Sequence, residues 1–219
     1  MATIVPTFTQ WLAESGVDTA KGIFMTGTDT GVGKTWIGIQ LITRLQALGR
    51  EVMVRKPVES GWADDIQQTD AWQLANAAGQ AFADSVCPYR FAAALAPPRA
   101  AQQAGTTLTL QQLVATCPTA WEPQQFLHVE GAGGFYSPLA ADGLNADLAQ
   151  RLGLPVVIVA EDRLGCINHV LLTAAAVQQR GLTLAGVILN ARTPHVDGMD
   201  NRADIRQYLR VPVLASPFV

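Results

Sequence analysis

The stretch GTDTGVGKT, Gly27 to Thr35, places three glycines, three threonines and one lysine between an apolar run, IFM, and a helix-like segment, WIGIQLITRL. A glycine-rich turn from strand to helix gathers backbone N–H groups around one concavity, and the helix adds its positive end, so the turn suits a phosphate. Gly33 lets the backbone approach closely, Lys34 reaches the terminal phosphates, and the Thr35 hydroxyl suits Mg²⁺. The spacing departs from G-x-x-x-x-G-K-[ST] in one place: the first glycine position is Thr28, and Gly27 comes one residue earlier.

Magnesium needs further oxygen ligands. Glu130 ends the apolar run FLHVE and precedes GAGG, a stretch whose backbone can pass close to a nucleotide. At a strand end beside a phosphate loop, Glu130 is read as a metal ligand. Asp70 stands at a helix start, where capping and metal binding are both open readings. Lys56 in RKPVESG follows a strand, with Pro57 fixing the backbone and Ser60-Gly61 resembling a second anion-binding turn. Its charge suits a transferring phosphoryl group or an attacking carboxylate.

These residues need a frame, and the chain alternates short β-rich runs with helical periodicity. Strands are expected at IFMTG, EVMVRKP, FLHVE, PVVIVAE and LAGVILN. Helices are expected over TWIGIQLITRLQALG, DAWQLANAA, NADLAQRLG and INHVLLTAAAVQQRG, and near Asp200 to Leu209. The pattern predicts an α/β fold: one domain, residues 22–219, with a mostly parallel doubly wound sheet and helices on both faces. Residues 1–21 read as an N-terminal extension, and Ala81 to Gln125 as an irregular insertion. Gly27, Lys56, Glu130, Asp162 and Asn190 all follow strand ends, at the edge where open α/β sheets bind ligands.

Composition narrows the class. The 219 residues are 49% hydrophobic, with 15 basic and 18 acidic side chains, a net charge of −3, and no long run of either sign. That balance argues against nucleic-acid and membrane-surface partners. Cys87, Cys117 and Cys166 show neither disulfide nor zinc spacing. The first twenty residues lack a basic start followed by an apolar stretch, and LPVVIVA is too short to span a bilayer, so the expected location is cytoplasmic. His169 and Cys166, at the start of an apolar helix, read as packing residues.

Taken in order, GTDTGVGKT, KPVESG, TDAWQL, VEGAGGFYSPL, LGCINHVLLTA and GLTLAGVILN resemble the dethiobiotin synthetase family, from Ile23 nearly to the C-terminus. The resemblance implies a phosphate-loop NTPase fold and an ATP-dependent carboligase. Its substrates would be 7,8-diaminononanoate, CO₂ and ATP, and its products the ureido ring, ADP and phosphate. Thr35, Asp70 and Glu130 match Mg²⁺ ligands. Gly31, Val32, Gly33, Lys34, Thr35 and Trp36 match nucleotide contacts, as do Gly131, Ala132 and Gly133. Asn190 and Ala191 lie toward the base, with Ser216, Pro217 and Phe218 in a loop beside it. Lys56 matches the active-site lysine, Thr30 and Lys34 face the reacting centre, and Ser60 matches a substrate contact. Leu164, Gly165, Cys166 and Asn168 match a segment holding the substrate's carboxylate tail at a homodimer interface. Gly31 stands where some members carry glutamate.

The rival is a switch ATPase of the partitioning or nitrogenase-reductase type, which shares sheet and loop. Such proteins carry a lysine four residues before the glycine of GKT, and here that place is Asp29. An amidotransferring synthetase would need a glutaminase domain that 219 residues cannot hold. A non-catalytic binding module would leave Lys56 and VEGAGG without purpose.

Overall fold

A computed structural model describes residues 7–194 and 196–217. Phe218, expected beside the nucleotide base, lies outside the described residues. In chain order the elements are α1 (Phe8–Ser15), β1 (Gly22–Gly27), α2 (Lys34–Ala47), β2 (Glu51–Arg55), β3 (Val58–Ser60) and α3 (Asp70–Ala77). Then come β4 (Tyr89–Phe91), α4 (Pro97–Gln103), α5 (Leu110–Ala115), β5 (Gln125–Gly134), β6 (Pro138–Ala140) and β7 (Gly143–Leu144). The chain continues through α6 (Asn145–Leu152), β8 (Val156–Glu161), α7 (Cys166–Gln179), β9 (Leu184–Asn190), α8 (Asn201–Tyr208) and β10 (Val213–Ser216).

Six strands form one sheet in the order β10-β9-β8-β1-β5-β2, and every pairing in it is parallel. Alternate residues face opposite sides, so each strand feeds two cores. Ile23 and Met25 pack with α1, α2 and α3, whereas Phe24 packs with α5, α6 and α7. Burial on both faces explains why the strand sequences read as continuous apolar runs. The expected doubly wound α/β fold is present, with helices on both faces. The first strand lies inside the sheet between β5 and β8, which sets the phosphate loop at a switch point open to ligands.

Three local differences from the sequence expectations have physical causes. The N-terminal extension expected over residues 1–21 carries α1, which packs into the core. Trp11 and Leu12 are fully buried, and Trp11 Nε1 donates to the Pro212 carbonyl at 3.1 Å. Gly186 admits this ring, since a Cβ there would lie 2.7 Å from it. Thr7 starts the helix with a capping box through Gln10, and Gly16 (φ +68°) ends it.

The second difference lies at GAGG, which belongs to β5 but is bulged. Met25 pairs with Glu130 and Gly27 with Gly134, so two steps on β1 span four on β5. The extra residues swing toward the sheet's ligand edge. The third lies in Ala81 to Gln125, read as an insertion of helices and loops: α4 and α5 are there, and a short strand, β4, joins them. Its β4 pairs parallel with β3, just beyond Lys56.

Candidate active site

The phosphate loop joins β1 to α2 as expected. Gly33 caps α2 with φ +87°, and a Cβ there would come within 2.1 Å of Asn190 Nδ2. Gly27 is equally constrained: a Cβ would meet the Asp29 carbonyl at 2.6 Å and lie 3.3 Å from Lys34 Nζ. The glycine displaced by one residue therefore serves the same close approach. Asn190, at the end of β9, donates through Nδ2 to the Val32 carbonyl at 3.0 Å and ties the loop to the neighbouring strand end.

Lys56 forms the centre of the site. Its Nζ lies 2.6 Å from Glu130 Oε1 and 2.9 Å from Asp70 Oδ2, with side-chain exposures of 3% for Lys56, 0% for Glu130 and 44% for Asp70. Thr35 Oγ1 donates to Glu130 Oε1 at 3.0 Å. Burial alone would lower the Lys56 pKa, but Glu130 and Asp70 outweigh it and hold the ammonium above the ordinary lysine range. Lys56 in turn pulls Asp70 below the usual carboxylate value. Lys34, nearly buried, is lowered by burial first and by the Lys56 charge second. Its Nζ donates to the Asp29 carbonyl at 3.4 Å.

The oxygen donors fit a magnesium ion. Two carboxylates meet Lys56 Nζ, the Thr35 hydroxyl joins them at Glu130 Oε1, and Glu130 Oε2 is buried with no hydrogen-bond partner among the described residues. Among the described residues no three His, Cys, Asp or Glu side chains gather into a metal cage. Magnesium does not need one, because it keeps waters and phosphate oxygens as ligands beside one or two carboxylates.

These groups line one cleft of about 800 Å³, within the range of small-molecule sites. Thr30, Gly31, Gly33, Lys34, Thr35, Trp36, Lys56, Ser60, Asp70, Ala132, Gly133, Asn190, Ala191 and Pro217 all border it. Glu130 lies beneath it, reaching the cleft residues Lys56 and Thr35. Other expected residues sit elsewhere. Val32 is buried, with its carbonyl facing Asn190, and Gly131 is packed against Asn145 and Phe24. Ser216 is buried, and its carbonyl accepts from Ala191 N at 3.3 Å. Asp162 turns to α8 and accepts from Asn201 Nδ2 at 2.8 Å. Leu164, Gly165, Cys166 and Asn168 do not border the cleft. They stand at the start of α7, with Leu164 84% exposed and Cys166 buried.

The cleft also recruits residues that the sequence reading did not single out. Asn145 is fully buried beneath GAGG. Its Nδ2 donates to the carbonyls of Ala132, Gly134 and Ser137, and its Oδ1 accepts from Ala132 N. The bulge is thus fixed by one amide, a role that depends on tertiary contact and that the run NADLAQRLG does not reveal. Arg192 borders the cleft and donates to the Gly31 carbonyl, closing the loop's outer lip. Nothing in its local sequence marks it. Glu59 was visible inside KPVESG without a role.

A phosphate loop on a parallel sheet, with acidic and basic side chains at one strand edge, defines a nucleotide-binding α/β protein. Residues 21–216 match the AAA domain family. The fold resembles that of a nucleotide-binding protein from Archaeoglobus fulgidus solved with ADP. The TM-score is 0.54 at 12% identity, over 98% of this chain and 88% of that one. The ATP-dependent dethiobiotin synthetase of Anaeromyxobacter dehalogenans (strain 2CP-C) is 42% identical over 178 residues, 81% of this chain and 79% of that protein. Those of Rhodopirellula baltica and Ralstonia nicotianae are 38% and 41% identical, over 88% of this chain and 82% and 86% of theirs. The chain belongs to the ATP-dependent dethiobiotin synthetase family.

Proposed function

We propose that this chain is an ATP-dependent cyclo-ligase of biotin biosynthesis, closing the ureido ring of dethiobiotin from 7,8-diaminononanoate and CO₂ with release of ADP and phosphate. The observation that supports it most is the meeting of Lys34, Lys56, Thr35, Asp70 and Glu130 at one rim of the sheet in a member of this family. A switch ATPase needs no second cation held between two acids at that place.

In this reading the backbone of Gly31 to Thr35 cradles the triphosphate, and Thr35, Asp70 and Glu130 hold Mg²⁺. When bound, the ion supplies charge neutralisation at the phosphoryl oxygens. One substrate amine captures CO₂ as a carbamate. A carbamate oxygen attacks the γ-phosphorus, ADP leaves, and a carbamic–phosphoric anhydride results. The second amine then attacks the carbonyl carbon, expels phosphate and loses its proton as the ring closes. Lys56 remains an ammonium, so it stabilises carbamate and phosphoryl charge instead of taking a proton. Lys34 and Thr30 face the same centre, and positioning and electrostatics carry most of the rate.

Ser60 borders the cleft where the diamine would lie. Leu164, Gly165, Cys166 and Asn168 would reach substrate from a partner subunit in a homodimer. Leu164, just before α7, and Leu172 on it are 84% and 63% exposed and favour such an interface. Among the described residues no helix is long and apolar enough to cross a membrane, in keeping with a cytoplasmic enzyme. The test supplies diaminononanoate, bicarbonate, Mg²⁺ and ATP and follows phosphate. Release that depends on the diamine, with dethiobiotin formed, supports the ligase; equal release without the diamine contradicts it.

A further inference from the structure

Asp70 reaches the site from the first residue of α3. Between Ser60 and Asp70 the chain runs through Gly61 to Asp65, mostly exposed, and a single 3-10 turn, Ile66–Gln68. Such a connection fixes a carboxylate poorly. The anchor is Glu59, on β3, itself held by pairing with β4. Glu59 Oε1 accepts the backbone N–H of Asp70 at 3.0 Å, and Oε2 accepts that of Ala71 at 2.9 Å. Thr69 Oγ1 separately accepts from Trp72 N at 3.3 Å. The first three orphan donors of α3 are therefore satisfied, two of them by one buried carboxylate placed at the helix's positive end.

Burial of Glu59, only 8% exposed, is more than a helix cap requires. Thr69 already supplies the ordinary cap at the ordinary position. Glu59 instead couples the strand segment bearing Lys56 to the helix bearing Asp70. The Asp70 backbone is thereby held independently of the contact between its carboxylate and Lys56.

We propose that Glu59 is a positioning residue for the metal site: by holding the Asp70 and Ala71 amides, it sets where the Asp70 carboxylate stands to take Mg²⁺. The inference rests on the reading of Asp70 as a magnesium ligand. Outer partners that orient a ligand typically govern about 10–100-fold of metal affinity.

The test is calorimetric titration of the protein with a non-hydrolysable ATP analogue, with and without Mg²⁺, on the parent and on Glu59→Ala, Glu59→Gln, Asp70→Ala and the Glu59→Ala/Asp70→Ala double variant. Glu59→Ala is expected to hold its metal-free affinity within about twofold while losing roughly tenfold of the gain that Mg²⁺ confers. Glu59→Gln, which keeps one acceptor, should fall between and serves if the alanine variant fails to fold. The double variant should bind no worse than Asp70→Ala, because the effect passes through Asp70. A purely structural cap would lower metal-free and metal-bound affinity alike. A full Mg²⁺ gain in both Glu59 variants, with the gain lost in Asp70→Ala, overturns the role of Glu59 alone. A full gain in Asp70→Ala overturns the metal assignment, and the inference with it.

Discussion

The ammonium of Lys56 and the carboxylate of Glu130 meet at 2.6 Å with both side chains shut off from solvent. Removing one partner of a buried pair leaves the other charge uncompensated, at a cost of about 3–5 kcal/mol. Lys56→Ala should therefore lower thermal stability without ligand, and Mg²⁺ with nucleotide should restore more of it than in the parent. Turnover should fall by about 10²–10³-fold while ATP binding survives, the measure being kcat against a nucleotide titration. Near-normal ring closure in this variant would remove Lys56 from the chemistry.

At the phosphate loop, Gly33→Ala forces φ +87° onto a residue with a Cβ and drives that atom into Asn190. Backbone strain of this kind is worth about 1–3 kcal/mol before the clash is added. Nucleotide affinity should drop at least about tenfold while the far-ultraviolet circular dichroism stays unchanged. Parental affinity in equilibrium dialysis would show that the loop does not hold the phosphates this way.

His128 offers a pH readout. It is fully buried on β5, neither ring nitrogen has a partner among the described residues, and burial with the Lys56 charge lowers its pKa to about 3 from 6.5. The unfolded chain binds the proton more readily across that window. Its contribution is complete above pH 6.5 and is lost as pH falls toward 3, at up to about 1.4 kcal/mol per pH unit. His128→Leu should flatten the acid limb of denaturant-derived stability over that window. An unchanged acid limb would mean that the imidazole charges without cost. Glu59 acts in the opposite sense, since burial raises its pKa.

The N-terminal helix should matter as much as a core strand. Trp11→Ala removes a fully buried indole and its bond to Pro212, for an expected loss of about 3–5 kcal/mol in urea denaturation. A loss under about 1 kcal/mol would show that α1 is dispensable.

Much of the site was legible because phosphate binding leaves little freedom: Gly33, Lys34 and Thr35 are adjacent in sequence, and the strands that deliver Glu130 and Asn190 are long apolar runs. What the sequence hid depends on tertiary contact. Trp11 on α1 looked peripheral because its receptor, Gly186 and Pro212, lies near the other end of the chain, with Pro212 201 residues away. Asn145 opens the helix-like run NADLAQRLG, and only the β5 bulge turns it into a pin for GAGG. Leu164 to Asn168 carried a resemblance but no geometry, since a single chain does not bring them to the cleft.

The most direct measurement follows oxygen. The diamine, ¹⁸O-labelled bicarbonate, Mg²⁺ and ATP are mixed in unlabelled water, and the released phosphate is read before the label exchanges. Attack by a carbamate oxygen on the γ-phosphorus requires one labelled oxygen in that phosphate. Phosphate without label, released at the same rate, would mean that water attacks ATP and that the cleft does not join the two substrates.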